Sequence, residues 1–118
     1  MQLNNRIIID LDNECAASIV DASLAELVKR VIHKWPPEST CATQEIDGEI
    51  LFWDANISEV KKARSEANTN SGLMPLIGIK HQVDAVYFEI SEQAYLARDW
   101  EVAVVTEIDC QCVLHSEE

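Results

Sequence analysis

The stretch Thr43-Gln44-Glu45-Ile46-Asp47-Gly48-Glu49-Ile50-Leu51-Phe52-Trp53 indicates the fold class of the chain. Asp-Gly is a favoured pair for a two-residue type I′ turn, so this stretch predicts a hairpin with its tip at Asp47-Gly48. The second arm is apolar at four successive positions, 50–53. Such a run is typical of a central strand that is covered on both faces.

The segments on either side of the hairpin predict two helices. Ser23-Leu24-Ala25-Glu26 is a capping box, in which the Ser and Glu side chains bind backbone N–H groups at the helix start. The apolar face of this first helix is expected to comprise Leu24, Leu27, Val28, Val31 and Trp35. Lys34 is expected in its last turn, and Pro36-Pro37 ends it. A second helix is predicted after the cap residue Asn56, with a narrow apolar stripe of Ile57, Val60, Ala63 and Ala67.

The rest of the chain predicts mainly strands. Before the first helix, the expected elements are a strand at 6–12 and a short strand or helix lead-in at 18–20. After the second helix, a loop at 68–72 is followed by an irregular segment or edge strand at 73–79 and a strand at 83–90. The chain then continues with a helical turn from Ser91 through Arg98, an alternating strand at 100–108, a turn at Asp109 and a last strand at 110–114. This order lacks the regular strand–helix alternation of a parallel sheet. The chain is therefore predicted to be a single α+β domain, 1–118, with a mainly antiparallel β-sheet and two main helices packed on it.

Charge restricts the partners of the protein. Twenty-one acidic residues stand against nine basic ones, a formal net charge of −12. Residues 38–59 contain six acids and no Lys or Arg, and residues 83–118 contain nine acids and only Arg98. Because nucleic acid and anionic membranes would repel such a chain, we expect no direct nucleic acid binding and no membrane partner.

The cysteines predict neither disulfides nor a metal site. Cys15, Cys41, Cys110 and Cys112 follow no recognisable signal peptide, and no apolar run is long enough to cross a membrane, so free thiols and a cytoplasmic location are expected. Cys110-Gln111-Cys112 with His115 is the best metal pattern, since residues i and i+2 of a strand share a face. Zinc requires four ligands, and the other cysteines and histidines lack matching spacing. No metal or cofactor is predicted.

Catalytic motifs are equally sparse. Asp10-Leu11-Asp12 resembles the first motif of haloacid dehalogenase-like phosphatases, a resemblance that would imply magnesium and phosphate chemistry. Glu14 and Cys15 depart from that motif, and no later Lys with an acidic pair follows, so two acids near a turn are the favoured interpretation. No nucleophile elbow or phosphate-binding glycine loop is present in the sequence. No catalytic residue is predicted, and enzymatic activity is not favoured.

A small acidic chain without catalytic groups is typical of an inhibitor of a basic, nuclease-like enzyme, such as a toxin-immunity or phage anti-defence protein. Residues 26–33 resemble one helix of the colicin-nuclease immunity proteins, although the predicted hairpins depart from that all-helical fold. The residues predicted to contact a basic protein partner, with Trp53 as anchor if it is exposed, are Asp47, Glu49, Trp53, Asp54, Glu59, Glu101 and Glu107. Two alternatives stay open: a small ligand-binding or enzymatic domain with an unidentified pocket, and an accessory subunit whose acidity serves solubility alone.

Overall fold

The computed structural model describes residues 17–67 and 71–116, and the side chains of these residues as far as Gln111. The predicted strand at 6–12, with Asp10 and Asp12, lies outside the described residues, as do Cys15 and most of the predicted loop at 68–72. The elements in chain order are β1 (Ser18–Ile19), α1 (Leu24–Val31), β2 (Cys41–Gln44), β3 (Glu49–Trp53), α2 (Ile57–Glu66), α3 (Met74–Ile77), a 3₁₀ turn (Ile79–His81), β4 (Gln82–Tyr87), β5 (Glu89–Ile90), β6 (Gln93–Leu96) and α4 (Glu107–Ser116).

The strands of the described residues form two three-stranded sheets. In the first, β3 lies between β2 and β4 and is antiparallel to both. In the second, β6 lies between β5, which is antiparallel to it, and β1, which is parallel. Only Phe88 separates β4 from β5, so one nearly continuous segment takes part in both sheets. The predicted α+β class with mainly antiparallel pairing is confirmed.

The central position of β3 explains its apolar run. Ile50 and Phe52 contact the cluster built on α1 and β6, whereas Leu51 and Trp53 contact the cluster built on α2. All four side chains are buried. Alternate residues of a strand point to opposite faces, so a strand with both faces covered needs apolar residues at every position. This prediction is confirmed.

Both predicted helix starts are correct, but the end of the first helix is not. The Ser23–Glu26 capping box is present, and Asn56 caps α2 by accepting a hydrogen bond from the N–H of Ser58. Helix α1 ends at Val31, because Ile32 is already extended. Lys34 and Trp35 therefore lie beyond the helix. The Trp35 ring instead contacts Phe52 edge to face at 5.3 Å, and its Nε1–H donates to the Ser39 carbonyl.

The hairpin is present, but its turn differs from the predicted type. The N–H of Gly48 donates to the Glu45 carbonyl at 2.8 Å, and the N–H of Glu45 donates to the Glu49 carbonyl at 2.8 Å. Gly48 has a φ of 98°, a left-handed conformation that glycine adopts without steric strain. The connection is thus a turn over Glu45–Gly48 followed by a glycine bulge, one of the common longer hairpin loops.

The C-terminal third departs most from the prediction. Ser91 and Glu92 form a tight turn into strand β6 and do not start a helical turn. Residues 98–102 are turns, Val105 makes only an isolated bridge to Ala42, and the segment predicted as the last strand is helix α4. Thr106 and Asp109 cap this helix reciprocally, each accepting a hydrogen bond from the backbone N–H of the other. The segment predicted as irregular contains the short helix α3, with a proline in its first turn.

Candidate functional site

The exposed end of the β2–β3 hairpin carries an acidic surface around a tyrosine. Glu49 lies opposite Tyr87 in the pairing of β3 with β4. Asp47 lies in the preceding turn, and Glu89 follows Tyr87 after one residue. Tyr87 is 41% exposed, one of the few large apolar side chains that reach solvent in the described part of the chain. We call these four residues (Asp47, Glu49, Tyr87 and Glu89) the acidic tip.

The negative charges of the acidic tip raise the pKa values of neighbouring groups in the tip. Asp47 Oδ1 accepts a hydrogen bond from the N–H of Glu49 at 3.0 Å, which holds the two carboxylates on one turn. Partial burial raises the pKa of Glu49, and the negative charge of Asp47 raises it further. Burial also raises the pKa of Tyr87, and the neighbouring Asp47, Glu49 and Glu89 charges act in the same direction. The phenol therefore stays protonated at neutral pH, and its interaction with the Asp47 side chain favours the same protonated form.

Glu45, at the start of the hairpin turn, contacts the segment that precedes α3. Its Oε2 accepts a hydrogen bond from the N–H of Leu73 at 3.1 Å. Gly72 lies so close that a Cβ there would be 1.9 Å from Glu45 Oε1, so this contact requires a glycine. Burial raises the pKa of Glu45, although the Leu73 hydrogen bond and the charge of Arg64 oppose that rise. Glu45 therefore joins the hairpin to the segment before α3.

Of the four tip residues, two were predicted from the sequence and two were not. Asp47 and Glu49 were found from the turn signal. Tyr87 and Glu89 belong to a predicted strand, but the register that sets Tyr87 opposite Glu49 is a tertiary feature that one sequence does not contain. The alternation of residues 83, 85 and 87 could have indicated only that Tyr87 shares a face with Val83 and Ala85.

Trp53 and Asp54 do not belong to the acidic tip. Trp53 is fully buried and its indole N–H donates to Thr43 Oγ1 at 2.9 Å, so the exposure required of an anchor is absent. Asp54 lies at the other end of β3, roughly 17 Å of extended chain from Glu49. Its Oδ1 is 2.9 Å from His81 Nδ1.

The three remaining predicted contact residues lie on separate elements. Glu59 is exposed in the first turn of α2. Glu101 lies in a turn near Arg64, and Glu107 lies in the first turn of α4 near Cys110. The predicted strand at 100–108, which would have carried both Glu101 and Glu107, is absent, because residues 98–102 are turns and a helix begins at Glu107. Contact of these residues with a partner stays a prediction.

A second feature is a surface cavity beside α2. It has a volume of about 310 Å³ and is lined by Lys61, Arg64, Ser65, Val102 and Val104. Arg64 is 5% exposed, its Nη1 donates to the Gln44 carbonyl at 3.0 Å, and its guanidinium lies 5.7 Å from the centre of the Trp100 ring. Its Nε has no hydrogen-bond partner among the described residues. The sequence did not indicate this cavity, since Arg64 lies outside the predicted apolar stripe of the second helix.

The two cysteines with described side chains are free and buried. Burial raises the pKa of Cys41, and it raises that of Cys110 to about 11, so neither thiol is a ready nucleophile at neutral pH. Cys110 lies in a helix, where residues two apart do not share a face, so the predicted strand geometry for a metal pair does not apply. Within residues 17–67 and 71–111, no three His, Cys, Asp or Glu side chains are grouped as metal ligands.

The described helices are all too short or too polar to cross a membrane. Comparisons with protein-family models, with curated proteins and with solved structures give no significant match to the chain.

Proposed function

We propose that the protein binds and inhibits a basic, nuclease-like enzyme through the acidic tip. The observation that carries this proposal is an exposed tyrosine framed by three carboxylates. The segments that build this surface, residues 38–59 and 81–97, contain no Lys or Arg. A toxin-immunity or phage anti-defence protein is the biological setting that fits such an inhibitor.

The two kinds of side chain in the acidic tip have separate tasks. Tyrosine supplies rigid contact area and a hydrogen-bond donor at little conformational cost, and it is enriched at the energetic centres of interfaces. Carboxylates attract a positively charged partner over a longer range and raise the association rate. An enzyme that binds phosphate groups must present such a positive surface. Burial and the charge of Asp47 both raise the pKa of Glu49, and a cation placed against the tip would offset the Asp47 charge.

The proposal is tested by capturing a partner from a lysate of the source organism, identifying it by mass spectrometry and purifying it. We expect a basic enzyme whose nuclease activity is abolished at one equivalent of the protein. Surface plasmon resonance should then show association that slows as sodium chloride is added, since salt screens the attraction.

Variants of the acidic tip separate the two tasks. The triple variant Asp47→Asn, Glu49→Gln, Glu89→Gln should slow association about tenfold at low salt and flatten its salt dependence. Tyr87→Ala should mainly accelerate dissociation, by about thirtyfold if Tyr87 is a hot spot of about 2 kcal/mol.

The matched control is Glu38→Gln, Glu66→Gln, Glu92→Gln, which removes the same charge from exposed positions outside all of the predicted contact residues. It should change the association rate much less than the tip variant does. Equal slowing by both triple variants would show that only the net charge matters. A partner without nuclease activity or without a basic surface would contradict the proposed function.

A further inference from the structure

The cavity beside α2 combines positive charge with an apolar wall. It is lined by Lys61, Arg64 and Ser65 of α2 together with Val102 and Val104. The volume of about 310 Å³ is at the lower end of small-molecule sites, which run from about 300 to 1,000 Å³. None of these residues belongs to the acidic tip.

Arg64 is an unusual residue to find buried. A buried guanidinium is normally compensated by a carboxylate, because its desolvation is costly. No carboxylate of the described residues lies within salt-bridge distance of Arg64, whose one protein hydrogen bond in that part of the chain goes to the Gln44 carbonyl. The charges of Glu45 and Glu101 act on it only from further away. Within residues 17–67 and 71–116, its Nε has no acceptor.

The valines of the lining expose apolar surface to solvent. Val102 is 76% exposed, although Val104 beside it is partly buried. A valine at the mouth of a cavity gains free energy when an apolar group covers it. Lys61 is exposed at the same cavity, on the helix turn before Arg64. Two cations and two valines therefore face one small space.

We propose that this cavity binds a small carboxylate with a short apolar body. The carboxylate is held by the positive charge of Arg64 and Lys61, and the apolar body covers Val102 and Val104. Guanidinium groups match carboxylates in charge and in planar geometry. This site is independent of the acidic tip, so it goes beyond the inhibitory function proposed above.

The test uses a series of linear carboxylates, acetate, butyrate and hexanoate, added to the uniformly ¹⁵N-labelled full chain. Heteronuclear NMR spectra should show saturable shifts confined to the amides of residues 61–65 and 101–105 and to the Arg64 Nε–H signal. Hexanoate should bind with a dissociation constant of about 1 mM, as is usual for a ligand of this size. Acetate should bind at least about fivefold more weakly, because it lacks the apolar body.

Two variants at the mouth of the cavity avoid disturbing the core. Lys61→Gln should weaken hexanoate binding about threefold, the scale of one exposed ion pair. Val102→Ser should weaken hexanoate binding while leaving acetate binding unchanged. Lys62→Gln is the matched control, since Lys62 is an exposed neighbour that does not line the cavity. It should leave hexanoate binding within about 1.5-fold of the unmodified chain.

Hexanol and inorganic phosphate complete the experiment. Equal binding of hexanol would show that charge contributes nothing, and equal binding of phosphate would show that the apolar wall contributes nothing. Either result overturns the proposed ligand class. Absence of saturable shifts, or an equal effect of Lys61→Gln and Lys62→Gln, overturns the site itself.

Discussion

The side chain of Gln44 links the two sheets through hydrogen bonds. Its side chain is fully buried at the end of β2. Its Nε2 donates to the carbonyls of Gly48 and Tyr95, both at 3.0 Å, and its Oε1 accepts from the N–H of Ala97 at 2.8 Å. Arg64 binds the backbone carbonyl of the same residue. One amide side chain thus joins the hairpin turn to β6 and leaves no polar atom of its own unpaired.

Replacing Gln44 by leucine should destabilise the protein by about 2–4 kcal/mol, because three backbone groups would be left buried without partners. Urea unfolding followed by circular dichroism measures this change. Gln93→Leu is the control, since Gln93 is exposed on β6 and should change the free energy of unfolding by less than about 0.5 kcal/mol. A loss below 1 kcal/mol for Gln44→Leu would mean that the network does not join the sheets.

Among the secondary-structure elements, those with strong local signals were predictable. The Ser23–Glu26 box, the Asn56 cap and the Asp47-Gly48 turn each depend on residues a few positions apart, so one sequence contains them. The capping signal Thr106-x-x-Asp109 at the start of α4 is of the same kind. The alternation of apolar and polar residues over 100–108 is also typical of a strand, however, and the strand predicted from it was wrong. The acidic tip was only half predictable, because the register of β3 with β4 joins residues far apart in the chain.

The turn between β5 and β6 was not predicted because its two central residues are of types that rarely adopt its backbone conformation. Ser91 and Glu92 have φ values of 54° and 69°, in the left-handed region that usually takes Gly, Asn or Asp. A glutamate in this conformation costs about 1 kcal/mol. The pairing of β6 with β1 and the hydrogen bonds of Gln44 hold the strands in place, so tertiary contacts determine this turn.

Glu92→Gly should therefore stabilise the protein by about 1 kcal/mol and raise the melting temperature by about 4 °C. Differential scanning calorimetry measures the change. The same substitution one residue later, Gln93→Gly, lies in extended backbone and should lower the melting temperature instead. A lower melting temperature for Glu92→Gly would show that the glutamate side chain makes a stabilising contact that outweighs its strain.

Over the whole molecule, charge is divided between the elements. The hairpin and strands β4 to β6 contain no Lys or Arg, whereas α1 and α2 carry five of the nine, Lys29, Arg30, Lys61, Lys62 and Arg64. The carboxylates of the hairpin are therefore compensated mainly at a distance. Burial raises the pKa of Glu45 and Glu49. The pKa of Glu26, in contrast, is lowered, chiefly by its hydrogen bond to the backbone of Ser23.

These shifts predict opposite effects of pH. A raised pKa in the folded state means that the folded chain binds the proton more tightly, so Glu45 and Glu49 add stability as the pH falls through their raised values. The double variant Glu45→Gln, Glu49→Gln should be more stable than the unmodified chain at pH 8, and the difference should vanish near pH 4.

The variant Glu26→Gln should be less stable than the unmodified chain at pH 8, and this loss of stability should also vanish as the pH falls below the lowered pKa of Glu26. Chemical denaturation at a series of pH values tests both signs, and a double variant less stable at pH 8 would contradict the first.

The parallel pairing of β1 with β6 joins strands that are synthesised at different times. Ser18 pairs with Tyr95, and the N–H of Val20 donates to the carbonyl of Leu96. On a ribosome, β1 and the hairpin are made long before β6. The hydrogen bonds of the Gln44 side chain to Tyr95 and Ala97 cannot form until these two residues have been added, so for most of synthesis this amide has only its bond to Gly48 within the hairpin.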